Sequence, residues 1–160
     1  MEKITFKEIR QSIIDLCKQN HACKPEFTKL VSAETEAEFW KVILNNGNWC
    51  YTNNIFNIDL LNSYGQYKLS EFGLFWTDKY TTNINSFVMG NSSVVACGNS
   101  SVVARDNSSV VAWDNSYVRI NKYSSNVSSN IKINNSSVLT SHKENKIYIK
   151  KGAFEIIYLD

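Results

Sequence analysis

Three nearly identical octads stand in tandem in the middle of the chain: Asn91-Ser-Ser-Val-Val-Ala-Cys97-Gly98, Asn99-Ser-Ser-Val-Val-Ala-Arg105-Asp106 and Asn107-Ser-Ser-Val-Val-Ala-Trp113-Asp114. A fourth, Asn115-Ser-Tyr-Val-Arg-Ile-Asn-Lys122, keeps the frame with looser content. Ser124-Ser-Asn-Val127, Ser128-Ser-Asn-Ile131 and Asn135-Ser-Ser-Val138 carry it on out of strict phase. A unit this short cannot bury an apolar face alone, so a fixed-period array must stack its units, which is the logic of a solenoid. The junctions Gly98-Asn99, Asp106-Asn107 and Asp114-Asn115 suit tight corners, because Gly, Asn and Asp accept positive φ or bond their own backbone.

Between corners, side chains of a strand alternate in direction. One set, Ser92, Val94 and Ala96, repeats unchanged as Ser100, Val102, Ala104 and as Ser108, Val110, Ala112. The other ends in Cys97, Arg105 or Trp113. An interior tolerates little change in volume and a surface tolerates Arg or Trp, so Val94, Val102, Val110 and Val118, with the adjacent Ala/Ile position, are expected inside. Such small residues favour a thin coil of two octads, about 16 residues, over a wider three-octad prism. Asn91 then stacks against Asn107, and Asn99 against Asn115, as amide ladders at the ~4.8 Å strand spacing. Residues 83–150 would make about four coils.

The chain before residue 80 has a different grammar. Thr5 with Glu8 and Thr35 with Glu38 are T-x-x-E capping boxes. Phe6, Ile9, Ile13 and Leu16 follow helical spacing behind the first, and Phe39, Trp40, Val42, Ile43 and Leu44 follow the second. The first helix should end near Gln19-Asn20, and Asn46-Gly47 should end the second in a left-handed C-cap. Short helical turns are expected around Asp59–Tyr64 and Leu69–Phe72. Trp49, Tyr51, Phe56, Tyr67, Phe75 and Trp76 read as core aromatics of this helical unit. The expected class is therefore α+β: a helical capping domain over residues 1–80, then a β-solenoid with C-terminal capping strands over residues 81–160.

Composition narrows the function classes. The 20 Asn and 19 Ser concentrate in the repeats, with 11 and 15 of them in residues 83–141. With aromatics at 12 % and abundant Val and Ile, this is a folded array and not a disordered tract. No apolar run is long enough to span a membrane, and MEKITFKEIR lacks the apolar core of a secretory signal. A reducing cytosol and four free thiols are expected. Cys17, His21 and Cys23, with Cys50, match no common zinc spacing, so no metal or cofactor is assigned. Asp106 and Asp114 read as turn formers. No nucleophile–base or acid–base set assembles, so no catalytic residue is assigned and the chain reads as a non-enzyme.

The octads Gly90-Asn-Ser-Ser-Val-Val-Ala and Ala112-Trp113-Asp114-Asn-Ser resemble the G/D-N-[SA]-x-V-x-A arrays of small phage- and prophage-encoded proteins, where they follow a short helical segment. Glu38-Phe39-Trp40 through Asn48-Trp49-Cys50-Tyr51, with Leu60-Leu61 and Phe72-Gly73, is similar to that segment. The resemblance covers most of residues 36–120. Small phage proteins of this kind include inhibitors of bacterial defence, among them anti-CRISPR proteins. It implies a protein acting in the bacterial cytoplasm on a host defence protein, such as an RNA-guided CRISPR effector or its guide-RNA complex.

Val95, Val111 and Trp113, or Arg105, Tyr117 and Arg119, are the expected contacts, since Trp, Tyr and Arg dominate binding hot spots. A second reading is a nucleic-acid binder using Arg105, Arg119, Lys122, Lys132, Lys143, Lys146, Lys150 and Lys151. The net charge of +2 argues weakly for it. A third is a structural, ice-binding or glycan-binding solenoid. Ile147–Lys150 and Phe154–Leu159 read as strands that would cap the coil or pair two subunits.

Overall fold

A computed structural model describes residues 3–120, 131–134, 136–141 and 146–149. The fold mixes helices and sheets and divides into two compact units, Met1–Leu74 and Phe75–Asp160.

Six helices are described: α1 (Phe6–Gln19), α2 (Lys24–Ser32), α3 (Glu36–Asn45), α4 (Gly47–Thr52), α5 (Ile58–Tyr64) and α6 (Gln66–Ser70). Both capping boxes form. Thr5 and Thr35 accept from the amides of Glu8 and Glu38, and those carboxylates accept in return from the cap amides. Past α1, His21 takes the left-handed conformation (φ 55°). Ala22 N–H then donates to Cys17 O and His21 N–H to Lys18 O, which is a Schellman closure. Asn46 does end α3, but at φ −103°, and Gly47 opens α4 directly. The Asn-Gly pair therefore makes a bend between helices and not a left-handed cap.

Helices α2 and α4 carry too little apolar periodicity to be foreseen. Pro25 sits in the first turn of α2, where its missing N–H costs nothing. Inside this unit Ile9, Ile13, Phe39, Trp40, Ile43, Leu61 and Tyr64 are buried. Phe39 meets Phe6 and Trp40 edge-on, with ring centroids 5.6 and 5.4 Å apart. The buried Tyr64 hydroxyl donates to the Glu36 carboxylate. Burial first, and then Glu36, push that phenol well above its usual range. Among the expected core aromatics, Tyr67 is instead 78 % exposed, and Phe75 and Trp76 are buried within the second unit.

Ten strands are described: β1 (Leu74–Phe75), β2 (Lys79–Thr82), β3 (Ser86–Val88), β4 (Ser93–Ala96), β5 (Ser101–Ala104), β6 (Ser109–Ala112), β7 (Tyr117–Ile120), β8 (Ile131–Ile133), β9 (Val138–Ser141) and β10 (Lys146–Ile149). β1 to β9 fall alternately into two open sheets, ordered β1-β3-β5-β7-β9-β10 and β2-β4-β6-β8, and β10 joins the sheet of β9. Pairing is parallel, with Ser93 opposite Ser109 and Ser101 opposite Tyr117, each sixteen residues on. Between β6 and β8 the step lengthens, with Val110 opposite Ile131. β10 runs antiparallel to β9. Strands begin earlier than the octads do: β2 pairs with β4 and β3 with β5, although neither carries the motif.

The repeated residues do the work their positions suggest. Val94, Ala96, Val110 and Ala112 from one sheet, and Val102, Ala104, Val118 and Ile120 from the other, form one shared core, so the sheets pack face to face. Corner residues Gly90, Gly98, Asp106 and Asp114 all have φ between 55° and 63°. Each Asp carboxylate reaches across one rung: Asp106 Oδ2 accepts from Gly90 N–H and Asp114 Oδ2 from Gly98 N–H, both at 3.0 Å. A Gly over an Asp avoids stacking two carboxylates and leaves the amide accessible. Beside three of these corners a buried Ser donates to the carbonyl three residues back: Ser92 to Met89 (2.8 Å), Ser108 to Arg105 (2.5 Å) and Ser116 to Trp113 (2.7 Å). Asn115 Nδ2 donates to Asn99 Oδ1 at 3.4 Å, one rung of the expected ladder.

Candidate functional site

Because the constant residues of each octad face the core, the variable ones make two outer walls. On the β2-β4-β6-β8 wall the register aligns Thr81, Val95, Val111 and Lys132 in one row. Val95 and Val111 are half-buried. Trp113 follows β6, 43 % exposed, with its amide bonded to Ala96 O and Cys97 adjacent on the previous rung. The row is thus apolar in the middle, flanked by an exposed Thr and an exposed Lys, with an indole at its corner.

The opposite wall aligns Val103, Arg119 and Thr140, and beside them Ser101, Tyr117 and Val138. Tyr117 is exposed, and its hydroxyl lies 2.5 Å from Thr140 Oγ1, so the ring is held against the wall by a bond across one rung. Arg119 is half-buried. The structure therefore brings Val95 and Val111 together with Trp113, and Tyr117 together with Arg119, on opposite faces of the strand unit.

Arg105 does not belong to either group. Expected as an outward contact, it is 4 % exposed. It lies one register step past the Val88–Ala104 pair, beside Met89, and its amide donates to Val88 O. Phe87 and Met89 are buried as well, so the wall of β3 is withdrawn from solvent and the accessible face starts at Val103. An octad specifies which way a side chain points, not what lies beyond it.

Of the lysines expected to meet nucleic acid, Lys132 is exposed on the wall opposite Arg119. Lys146 lies on β10. Lys122, Lys143, Lys150 and Lys151 lie outside the described residues. The strand expected over Phe154–Leu159 lies outside them too. His21 is the exposed closing residue of α1. All four cysteines are free, Cys17 and Cys50 buried. Among the described residues no group of three or more His, Cys, Asp or Glu is placed to hold a metal ion, and no helix is long and apolar enough to cross a membrane.

Sequence reasoning missed Thr81 as part of the apolar row and Thr140 as the partner of Tyr117. Neither lies in an octad; only the register identifies them. Searches against protein-family models, curated proteins and solved structures found no match to this chain.

Proposed function

We propose that the strand unit is a two-faced β-solenoid of about 16 residues per coil, and that the protein is a non-enzymatic binder whose wall engages a host defence protein. The alternation of successive strands between two sheets, the sixteen-residue register and the single shared core support the solenoid reading. The observation that carries the binding reading is Trp113, a large indole left 43 % exposed at the end of the row made by Val95 and Val111. Exposed Trp next to apolar surface on a rigid sheet has the character of an interface anchor. Tyr117, fixed by Thr140, and Arg119 offer a second anchor pair on the other wall.

The resemblance of the octads to phage arrays directs the reading to an RNA-guided CRISPR effector, or its guide-RNA complex, as the target. Capture from a CRISPR-positive host lysate tests it. Immobilised wild type should retain the effector, and Trp113→Ala or Arg119→Ala should lose at least tenfold of it. Wild type and both variants returning equally empty would sink the reading. Nucleic-acid binding is the second reading. Of its described cations, Arg105 is buried, Arg119 and Lys146 belong to one sheet and Lys132 to the other, which disfavours one continuous basic track. Affinity for RNA or DNA falling steeply with salt would restore it.

A further inference from the structure

The helical unit contains a pocket that the walls of the strand unit do not involve. It opens between α1, α2 and the α3–α4 bend and has a volume of about 150 Å³. Its floor is formed by Cys17, Leu30, Ile43 and Cys50, all buried, and its sides by Phe27 and Trp49, both half-buried. Protein interiors rarely keep voids much larger than a water molecule. An enclosed apolar cavity of about 150 Å³ accepts a molecule the size of benzene, and this pocket offers the same room behind an open mouth. Only Leu30 of the nine residues of α2 is buried, and Phe27, which lines the pocket, is half-buried.

The pocket's polarity is confined to its rim. There Glu26 accepts from Asn46 Nδ2 at 3.0 Å and from Lys29 Nζ at 2.5 Å, tying α2 to the C-cap of α3. The floor holds thiols in place of charges. Burial pushes Cys17 up to about 11 and Cys50 higher still, as expected of a dry, low-dielectric floor. Such a lining disfavours an ion of either sign through the cost of desolvating it, and the rim carboxylate, paired with Lys29, offers an acceptor to an N–H or O–H.

We propose that this pocket binds a small neutral aromatic molecule bearing one hydrogen-bond donor, of the phenol or indole class, with its ring between Phe27 and Trp49 and its donor toward the Glu26–Asn46 rim. Phenol is the probe, added to the full chain in a Cys97→Ser background and followed by ¹H–¹⁵N NMR. Saturable shifts should appear at the amides of Phe27, Trp49 and Cys50, and the anionic benzoate should produce none. Cys23 is exposed at the mouth. Its alkylation with N-ethylmaleimide should weaken phenol at least tenfold, as should Ala22→Leu, which narrows the same mouth. Alkylation keeps the test valid if Ala22→Leu does not fold. The proposal is overturned if phenol gives no saturable shift at these amides, if benzoate matches it, or if plugging the mouth leaves its affinity unchanged. The binding of a defence protein at Trp113 is independent of each result.

Discussion

Two glycines one octad apart offer a controlled experiment on what the corners require. Gly90 and Gly98 share the same φ of +63°. They differ in what a Cβ would meet: at Gly90 it would lie 2.5 Å from the carbonyl oxygen of Trp76, and at Gly98 nothing lies within 4 Å. An L-residue forced into the left-handed region costs about 1–2 kcal/mol. That is partly offset by the smaller conformational freedom of Ala in the unfolded chain, so Gly98→Ala should cost about 1 kcal/mol. Gly90→Ala carries the same strain plus an overpacking cost of about 1–3 kcal/mol, because the obstructing atom is backbone and cannot rotate away.

In a unit of this size 1 kcal/mol moves Tm by about 4–8 °C. Thermal unfolding followed by circular dichroism should therefore show a shift for Gly90→Ala at least twice that for Gly98→Ala. Gly98→Asn, which tolerates the left-handed region, should lie close to wild type. Equal shifts for the two Ala variants would refute the steric argument. A Gly98→Asn variant as unstable as Gly98→Ala would refute the conformational one.

Three further perturbations probe the repeats and the caps. Ser100 Oγ is buried without a partner, whereas the equivalent Ser108 donates to Arg105 O at 2.5 Å. Ser108→Ala should thus cost about 1 kcal/mol and Ser100→Ala nothing, or stabilise slightly, in urea titrations. Val110→Thr buries a hydroxyl in the shared core and should cost about 1–3 kcal/mol, while Val111→Thr on the outer wall should stay within about 0.5 kcal/mol; the reverse order would mean the register is wrong by one residue. The Glu38 carboxyl is held below its ordinary value by the amides of Thr35 and then Glu34. A folded-state value below the unfolded one means the stabilisation is present above about pH 4.3 and fades as pH falls through the folded value. Glu38→Gln should flatten that part of the stability–pH curve for the helical unit, and an unchanged acid limb would count against the cap.

How much could be read in advance varies with the range of the interaction. The capping boxes at Thr5 and Thr35 are contained in four residues each, and both formed as the spacing required. The inward direction of Val94, Val102, Val110 and Val118 follows from the two-residue period of a strand together with the constancy of that position. By contrast, Lys79–Thr82 and Ser86–Val88 carry no octad, and their places in the sheets depend on pairing with β4 and β5. Helix α2, with one buried residue, is stabilised more by what it packs against than by its own pattern.

By itself the sequence determined the period, the corners and the side each residue of an octad faces, because backbone preference and side-chain alternation act over a few residues. Only the tertiary structure decided which outward residues meet solvent. Arg105 and Trp113 occupy the same position of their octads, yet one is buried and the other exposed. That difference arises from surroundings brought together by the whole chain, which no repeat unit encodes. The pocket between α1, α2 and α3 is of the same kind: it exists because the packing of three consecutive helices leaves a volume their side chains do not fill.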